Sequence, residues 1–260
     1  MAERFEGKVA LVTGASSGIG KATAIAFGRE GASVVVAARR EEESLQTVAE
    51  IEAAGGEAIF VRTDVSDASN VKNPVSKTVS TYGRLDCAFN NAGVGSPSGI
   101  KRLHEYDEED WDFITGINEK GVWLCMKYQI AQMLEQNPAG DAGSRGVIVN
   151  DSSVAGLRAG PTSLYTAVKH SVVGLTRRAA VEYGRDGIRV NAICPGVIET
   201  DMVSRAVAQS AEIAERFASA GHMGRWGQPG EIASAVLFMC SDEASFMTGQ
   251  AMAVDGGITA

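Results

Sequence analysis

A tyrosine and a lysine stand four residues apart in the stretch Tyr165-Thr166-Ala167-Val168-Lys169. In a helix this spacing puts both side chains on one face, one turn apart. A free tyrosine has a pKa of about 10, and a neighbouring ammonium group lowers that pKa because it favours the phenolate. The pair could therefore exchange a proton with a bound substrate near neutral pH. The same spacing also arises by chance, usually on a solvated helix face with a snorkelling lysine.

A glycine-rich turn near the start of the chain is the second candidate site. The β-branched run Lys8–Thr13 predicts a buried strand, and the stretch Gly14-Ala15-Ser16-Ser17-Gly18-Ile19-Gly20 follows it directly. A helical pattern then continues to Gly31. Strand, glycine turn and helix form the context of a dinucleotide site, because the glycines admit the pyrophosphate and the helix N-terminus supplies amide donors. A tight turn without a ligand is the less favoured alternative.

The spacing T-G-x-x-x-G-I-G resembles the cofactor loop of the short-chain dehydrogenase/reductase family. Further motifs of that family follow in its order along essentially the whole chain. They are N-N-A-G at 90–93, S-x-x-G at 153–156, Y-x-x-x-K at 165–169, P-G-x-x-x-T at 195–200 and the ending V-D-G-G at 254–257. The resemblance implies an NAD(P)(H)-dependent oxidoreductase that reduces a small-molecule ketone to a secondary alcohol, or catalyses the reverse.

The resemblance also implies a role for each of four catalytic residues. Ser153 would hydrogen-bond the substrate carbonyl oxygen, and Tyr165 would exchange a proton with it. Lys169 would hold the cofactor ribose hydroxyls and lower the tyrosine pKa. Asn118 would position a water that links Lys169 to solvent. Ser152 competes with Ser153, since strand alternation points the two side chains to opposite sides, and the S-x-x-G pattern favours Ser153.

A cofactor site at the ends of several strands is implied as well. The family places an Asp-Val pair beside the adenine ring and uses the P-G-x-x-x-T stretch to hold the nicotinamide carboxamide. Together with Tyr165 and Lys169, the predicted cofactor-binding residues are Gly14, Ser16, Ser17, Gly18, Ile19, Gly20, Arg39, Arg40, Asp64, Val65, Asn91, Ala92, Gly93, Pro195, Gly196, Ile198 and Thr200.

The end of the second predicted strand, Ser33–Ala38, bears on the choice of cofactor. Ala38 stands where an acidic residue would bind the adenosine ribose diol, and Arg39 and Arg40 follow it. An arginine side chain suits a phosphate, whereas basic residues are otherwise disfavoured at a helix N-terminus. The sequence therefore predicts a preference for NADP(H), with NAD(H) possible. The alternatives are two solvated arginines, or an Arg39 that stacks on adenine and serves either cofactor.

Strands alternate with helices from end to end, which predicts an α/β fold with a parallel sheet covered on both faces. We expect a single doubly wound (Rossmann) domain over residues 1–260, with strand order 3-2-1-4-5-6-7. The predicted strands are Lys8–Thr13, Ser33–Ala38, Glu57–Arg62, Leu85–Phe89, Val147–Asn150, Ile188–Ile193 and Gln250–Val254. Long helices are predicted from about Glu108 to Gln136, from Tyr165 to about Gly184, and from Asp201 to Ala220. The last one would belong to a substrate lid within about 197–226.

Composition excludes several other classes of protein. The 260 residues carry a net charge of −8, which argues against a nucleic-acid surface, and the apolar runs are too short to span a bilayer. Charges near the N-terminus argue against a signal peptide. The four cysteines have no C-x-x-C spacing, which favours the cytoplasm. No metal site is expected, because the three histidines lack ligand spacing.

Two other functions stay open on the sequence alone. One is a catalytically silent dinucleotide-binding scaffold. The other is a 3-oxoacyl-thioester (acyl-carrier-protein) reductase, which would need a basic docking patch; Arg177, Arg178, Arg185 and Arg189 could form one. The resemblance further implies a homotetramer, and apolar residues spread around the two long helices support this expectation.

Overall fold

The computed structural model describes residues 4–140, 143–209, 215 and 221–260. Its centre is a parallel sheet with the strand order β3-β2-β1-β4-β5-β6-β7, which confirms the predicted order. The strands are β1 (Val9–Thr13), β2 (Ser33–Ala38), β3 (Glu57–Arg62), β4 (Cys87–Asn90), β5 (Gly146–Asp151), β6 (Ile188–Pro195) and β7 (Ala251–Val254). The strand order reverses between β1 and β4, and open α/β sheets bind ligands in the crevice at such a reversal.

Helices cover both faces of this sheet. They are α1 (Gly18–Arg29), α2 (Glu41–Ala53), α3 (Ala68–Tyr82), α4 (Glu108–Thr115), α5 (Gly121–Glu135), α6 (Ser163–Tyr183), α7 (Asp201–Gln209) and α8 (Pro229–Cys240). Successive residues of a strand point to opposite faces. In β5, Val149 packs into the core beneath α1, α2 and α8, whereas Ile148 packs into the core beneath α3, α5 and α6. Both faces of the sheet are therefore apolar, as expected for a parallel sheet.

The long helix predicted from about Glu108 to Gln136 is not one regular helix. A π-helical turn, Gly116–Lys120, joins α4 to α5, and the backbone stays helical through Gly116 and Gly121. The wide turn contains Asn118, whose side chain bonds the backbone of Val94 on a neighbouring loop. Single π-turns inside helices are frequent at functional sites, and this one brings a buried amide to the crevice.

Several element ends differ from the predicted ones for local reasons. Strand β6 continues to Pro195 because its last residues pair with β7. Helix α6 begins two residues before Tyr165, since the Thr162 hydroxyl caps it by accepting from the Tyr165 N–H. Helix α7 matches the first half of the predicted lid helix, and the rest of that prediction, apart from residue 215, lies outside the described residues.

The described residues contain neither a membrane-spanning helix nor a metal cluster. No helix there is long and apolar enough to cross a membrane, and no three metal-ligating side chains gather within the same ranges. All four cysteines are free and buried.

Candidate active site

Tyr165 and Lys169 meet on one face of α6, at the carboxyl end of β5. The Lys169 Nζ lies 5.5 Å from the centroid of the Tyr165 ring. The lysine side chain is only 4% exposed, and its ammonium donates to Asp151, to the backbone oxygen at 2.7 Å and to the carboxylate Oδ2 at 3.1 Å. The tyrosine is half-buried. The buried Lys169 ammonium, paired with Asp151, therefore lies beside the Tyr165 phenol, which is accessible from the crevice.

Burial and two neighbouring charges act on the pKa of Tyr165. Burial raises the pKa of Tyr165 above its ordinary value, the Lys169 charge opposes that rise, and the Asp151 charge adds to it. The lowering by Lys169 is therefore present as predicted, but burial outweighs it and the net shift of the Tyr165 pKa is upward. Burial alone would lower the pKa of Lys169, but the charges of Tyr165 and Asp151 outweigh it and raise that pKa. Lys169 is therefore held as an ammonium ion.

The two serines after β5 have different surroundings. Ser152 is 1% exposed, and its hydroxyl donates to the Lys169 backbone oxygen at 2.8 Å, which ties β5 to α6. The Ser153 hydroxyl accepts from the Ala155 N–H at 3.1 Å, and its proximity to Tyr165 counteracts the rise in the tyrosine pKa. Of the two candidates, Ser153 is the one that shares the crevice with Tyr165.

This difference predicts the outcome of replacing each serine by alanine. Ser153→Ala should lower kcat by about 10²-fold, the usual cost of removing one donor to a developing oxyanion. Ser152→Ala should cost about 1 kcal/mol of unfolding free energy for a lost buried hydrogen bond, with a smaller loss of kcat. Steady-state kinetics and urea unfolding on both variants measure these effects. A larger kcat loss at Ser152 would contradict the assignment.

Asn118 acts as an anchor for the loop after β4. Its side-chain oxygen accepts from the Val94 N–H at 2.8 Å, and its amide nitrogen donates to the Val94 oxygen at 2.7 Å. The residue is 1% exposed, and a Cβ on Gly93 would lie 3.3 Å from its Oδ1. The side chain thus holds the π-turn against this loop. The water-positioning role implied for Asn118 stays a prediction.

The glycine loop has the shape that a bound pyrophosphate requires. Gly14 and Gly18 have positive φ angles of 66° and 55°, a backbone conformation that residues with a Cβ rarely adopt. A Cβ on Gly20 would lie 2.5 Å from the Gly14 oxygen, so this position also excludes a side chain. Ser17 precedes α1 without a side-chain cap. The first amides of α1, from Gly18 through Ile19 to Gly20, are therefore left for an anionic ligand.

The N-N-A-G motif ties the end of β4 to the glycine loop. The Asn91 side chain donates to the backbone oxygens of Thr13 and Gly14 at 3.0 and 3.3 Å. The Thr13 hydroxyl in turn accepts from the N–H groups of Asn91 and Ala92 at 3.0 and 3.1 Å. These bonds place Ala92 and Gly93 at the point where the strand order reverses.

The two arginines after β2 flank the glycine loop. Arg40 donates to the hydroxyls of Ser16 and Ser17 at 2.9 and 2.7 Å. The Arg39 side chain is 60% exposed, and its guanidinium lies 4.0 Å from the Asp64 carboxylate. Ala38, directly before them, is buried. Position 38 itself therefore carries no carboxylate, and the two guanidinium groups after β2 lie near the carboxylates of Asp64 and Glu43.

The Asp64-Val65 pair follows β3. The Asp64 carboxylate accepts from the Ser66 N–H at 3.0 Å, which fixes a tight turn. Val65 is 6% exposed and packs closely on Gly121. A Cβ on Gly121 would lie 2.9 Å from the Val65 side chain. The pair is thus held at the rim of the crevice by the helix that follows the π-turn.

The stretch after β6 closes over the same crevice. Pro195 ends the strand, and a Cβ on Gly196 would lie 2.8 Å from the Asp255 backbone. Ile198 is 5% exposed. The Thr200 methyl group would lie 3.2 Å from a Cβ on Gly18. Residues predicted from opposite ends of the chain to bind one cofactor therefore border one crevice.

Asp151 is a site residue that the sequence analysis missed. It ends β5, directly before the serine pair, and contacts Lys169 through two oxygens. Its other carboxylate oxygen, Oδ1, is buried and has no hydrogen-bond partner within the described residues. The signal was an acidic residue directly after the predicted buried strand Val147–Asn150, because a charge at the end of a buried strand needs a partner.

The chain is similar in sequence to known proteins over nearly its whole length. A family model described as enoyl-(acyl carrier protein) reductase matches residues 14–259. An A-factor type gamma-butyrolactone 1'-reductase (1S-forming) of Streptomyces virginiae is 44% identical, over 97% of this chain and 95% of that protein. A 2,5-dichloro-2,5-cyclohexadiene-1,4-diol dehydrogenase of Sphingobium indicum is 43% identical, over 98% of both.

A solved structure gives the same fold with a cofactor. It is that of an Agrobacterium tumefaciens protein with bound NADP, assigned as a 2-deoxy-d-gluconate 3-dehydrogenase. It is 34% identical, covers 99% of this chain and 98% of its own, and superimposes with a TM-score of 0.84. The motifs, the sheet order and these relatives agree, and the chain belongs to the short-chain dehydrogenase/reductase family of NAD(P)-dependent oxidoreductases.

Proposed function

We propose that this protein reduces a small ketone to a secondary alcohol, or oxidises the alcohol, with NADP(H) as its preferred cofactor. The observation that carries the proposal is the cluster of Ser153, Tyr165 and Lys169 at the carboxyl end of β5. The crevice fits a dinucleotide, because side chains are excluded at Gly14 and Gly20 and the first amides of α1 lack a side-chain cap.

Each residue of the cluster has a defined task in the proposed reaction. When bound, the cofactor supplies or accepts the hydride. In the reducing direction Ser153 donates a hydrogen bond to the carbonyl oxygen, and Tyr165 gives that oxygen its proton. Lys169 stabilises the phenolate that remains and would hold the ribose hydroxyls. Since burial raises the pKa of Tyr165, the resting phenol is protonated at neutral pH, which suits a proton donor.

We infer a cyclic substrate from the names of two relatives. The Streptomyces virginiae reductase is named for a butyrolactone and the Sphingobium indicum dehydrogenase for a cyclohexadiene-diol. The loop that Asn118 anchors at Val94 and the described part of the predicted lid, residues 197–209 and 221–226, would form the walls of the pocket. Helix α7 starts this lid, and the Thr200 hydroxyl accepts from the Val203 N–H at 3.4 Å at its beginning.

A turnover screen tests the proposal. Purified protein is given cyclic and open-chain ketones with NADPH or NADH, and the corresponding alcohols with NADP or NAD, while cofactor absorbance is followed. The proposal is supported if the wild type turns over a ketone and the Tyr165→Phe variant turns over the same ketone much more slowly. Binding of NADPH with no turnover across the panel would favour a silent scaffold instead.

The carrier-protein alternative has less support from the surface charges. Arg189 donates to the backbone oxygens of Met247 and Ser241, so it holds the chain together and does not face a partner. Arg178 is paired with Glu182 at 2.8 Å. Arg177, Arg178 and Arg185 are exposed, so three of the four arginines are on the surface. Comparing a carrier-bound β-keto acyl chain with a free cyclic ketone decides between the two substrates.

A homotetramer is proposed from the apolar side chains left on the surface. Trp111, Trp123 and Val181 on α4, α5 and α6 are 45%, 45% and 76% exposed, and Phe246 before β7 is fully exposed. Large apolar side chains on several faces are typical of subunit contacts. Sedimentation at micromolar concentration should give a mass near four chains. A mass of one 27.2 kDa chain would rule out the assembly.

A further inference from the structure

The Lys169 ammonium is held by Asp151. It donates to the backbone oxygen of Asp151 at 2.7 Å and to its Oδ2 at 3.1 Å. The lysine side chain is 4% exposed and the aspartate side chain 14% exposed. At such burial neither charge is screened by water as a surface pair would be. The two contacts therefore determine both the position of the ammonium and the net charge of its surroundings.

The ion pair lies among few other titratable groups. Among the residues that the structure describes, those that face Asp151 are Lys169 and Tyr165 on α6 and Cys194 on β6. Burial raises the pKa of the Cys194 thiol to about 11, so this group stays neutral at physiological pH. The charge that Tyr165 experiences is then set by one ammonium and one carboxylate of opposite sign.

These two charges act on Tyr165 in opposite directions. The ammonium stabilises the phenolate, and the carboxylate destabilises it. The structure shows both contributions, with Lys169 lowering and Asp151 raising the pKa of the phenol. With a neutral residue at position 151, no carboxylate would oppose the effect of the Lys169 charge on the Tyr165 pKa. Asp151 thus favours the protonated phenol, the form that donates a proton to a ketone.

We propose that Asp151 is a positioning residue of this active site, which holds the Lys169 ammonium beside Tyr165 and partly neutralises it, so that Tyr165 keeps its proton at neutral pH. The inference rests on the proposed function. It adds a fifth residue to the four that the sequence motifs indicate.

The test is the pH dependence of kcat/KM in both directions for wild type and Asp151→Asn. Asparagine keeps the size of the side chain and removes its charge, and the backbone contact to Lys169 remains. Oxidation of the alcohol requires the phenolate, so its rate rises with pH through the Tyr165 pKa. Removing the carboxylate lowers that pKa, and the rising limb should move to lower pH by about one unit.

Reduction gives the complementary result. It requires the protonated phenol, so its falling limb at high pH should move to lower pH by a similar amount. Asp151→Thr, a neutral residue that suits a strand end, provides a second variant in case the asparagine variant does not fold. If a folded Asp151 variant has the same rising and falling limbs in its pH profiles of kcat/KM as the wild type, the inference is overturned.

Asp86→Asn is the matched control. Asp86 is also a buried carboxylate, paired with Arg84 at 2.8 Å and bonded to the Val9 N–H at 2.9 Å, but it lies at the amino end of the sheet. Its variant should lose stability and keep the wild-type pH limbs. An inactive wild type would contradict the proposed function, whereas an active wild type with limbs that do not move in the Asp151 variants contradicts this inference alone.

Discussion

The variant Tyr165→Phe is expected to lower kcat by at least about 10²-fold, the usual contribution of a positioned general acid–base group. The substitution keeps the aromatic ring, which packs against Ile114, Leu164 and Val168, and removes the hydroxyl. The fold and the Lys169 ammonium should therefore persist. Steady-state kinetics in both directions measure the loss, and calorimetric titration with NADPH should show cofactor binding close to that of wild type.

Tyr183→Phe is the matched control for this experiment. Tyr183 ends the same helix, is also half-buried, and packs in the core beneath α3, α5 and α6. Its variant should keep wild-type kcat. A Tyr165→Phe enzyme with most of the wild-type kcat would remove the tyrosine from the mechanism. A variant that no longer binds NADPH would show that the substitution disturbs the cofactor site as well.

The second large effect is expected in the choice of cofactor. Wild type should have a higher kcat/KM with NADPH than with NADH, and the double variant Ala38→Asp, Arg39→Ile should reverse that preference. A charge-assisted hydrogen bond from Arg39 to the 2′-phosphate contributes about 1.5–3 kcal/mol. Even one such bond corresponds to roughly a tenfold preference or more. An aspartate at position 38 would repel the phosphate and accept from the ribose diol.

The surroundings of the two arginines shape this experiment. Arg40 is bound to the hydroxyls of Ser16 and Ser17 and supports the glycine loop, so it is left in place. Arg39 is exposed, with Asp64 4.0 Å away, and is free to turn toward a phosphate. Arg178→Ile, which removes an exposed arginine from α6, controls for the loss of charge. Equal use of NADH and NADPH by wild type, or a double variant with unchanged preference, would contradict the prediction.

The sequence by itself determined the fold, the family and the positions of most candidate residues. A parallel strand between two helical layers is apolar on both faces, so runs such as Val9–Thr13 stand out from the amphipathic helices around them. Glycine loops are also readable, because positions such as Gly14 and Gly20 exclude a side chain for local steric reasons. Both signals depend on residues adjacent in the chain, and a fixed strand order then brings the strand ends together.

Only the tertiary structure decided how the residues of the site act on one another. Ser152 and Ser153 are adjacent and chemically identical, and it is the packing of α6 on β5 that engages one with Lys169 and leaves the other beside Tyr165. The direction of the Tyr165 pKa shift depends on the balance between burial and two charges, which no spacing of residues reveals. Asp151 entered the site in the same way, since its contact with Lys169 joins residues 18 positions apart. Electrostatic effects fall off with distance in space and grow with burial, and both quantities exist only once the chain has folded.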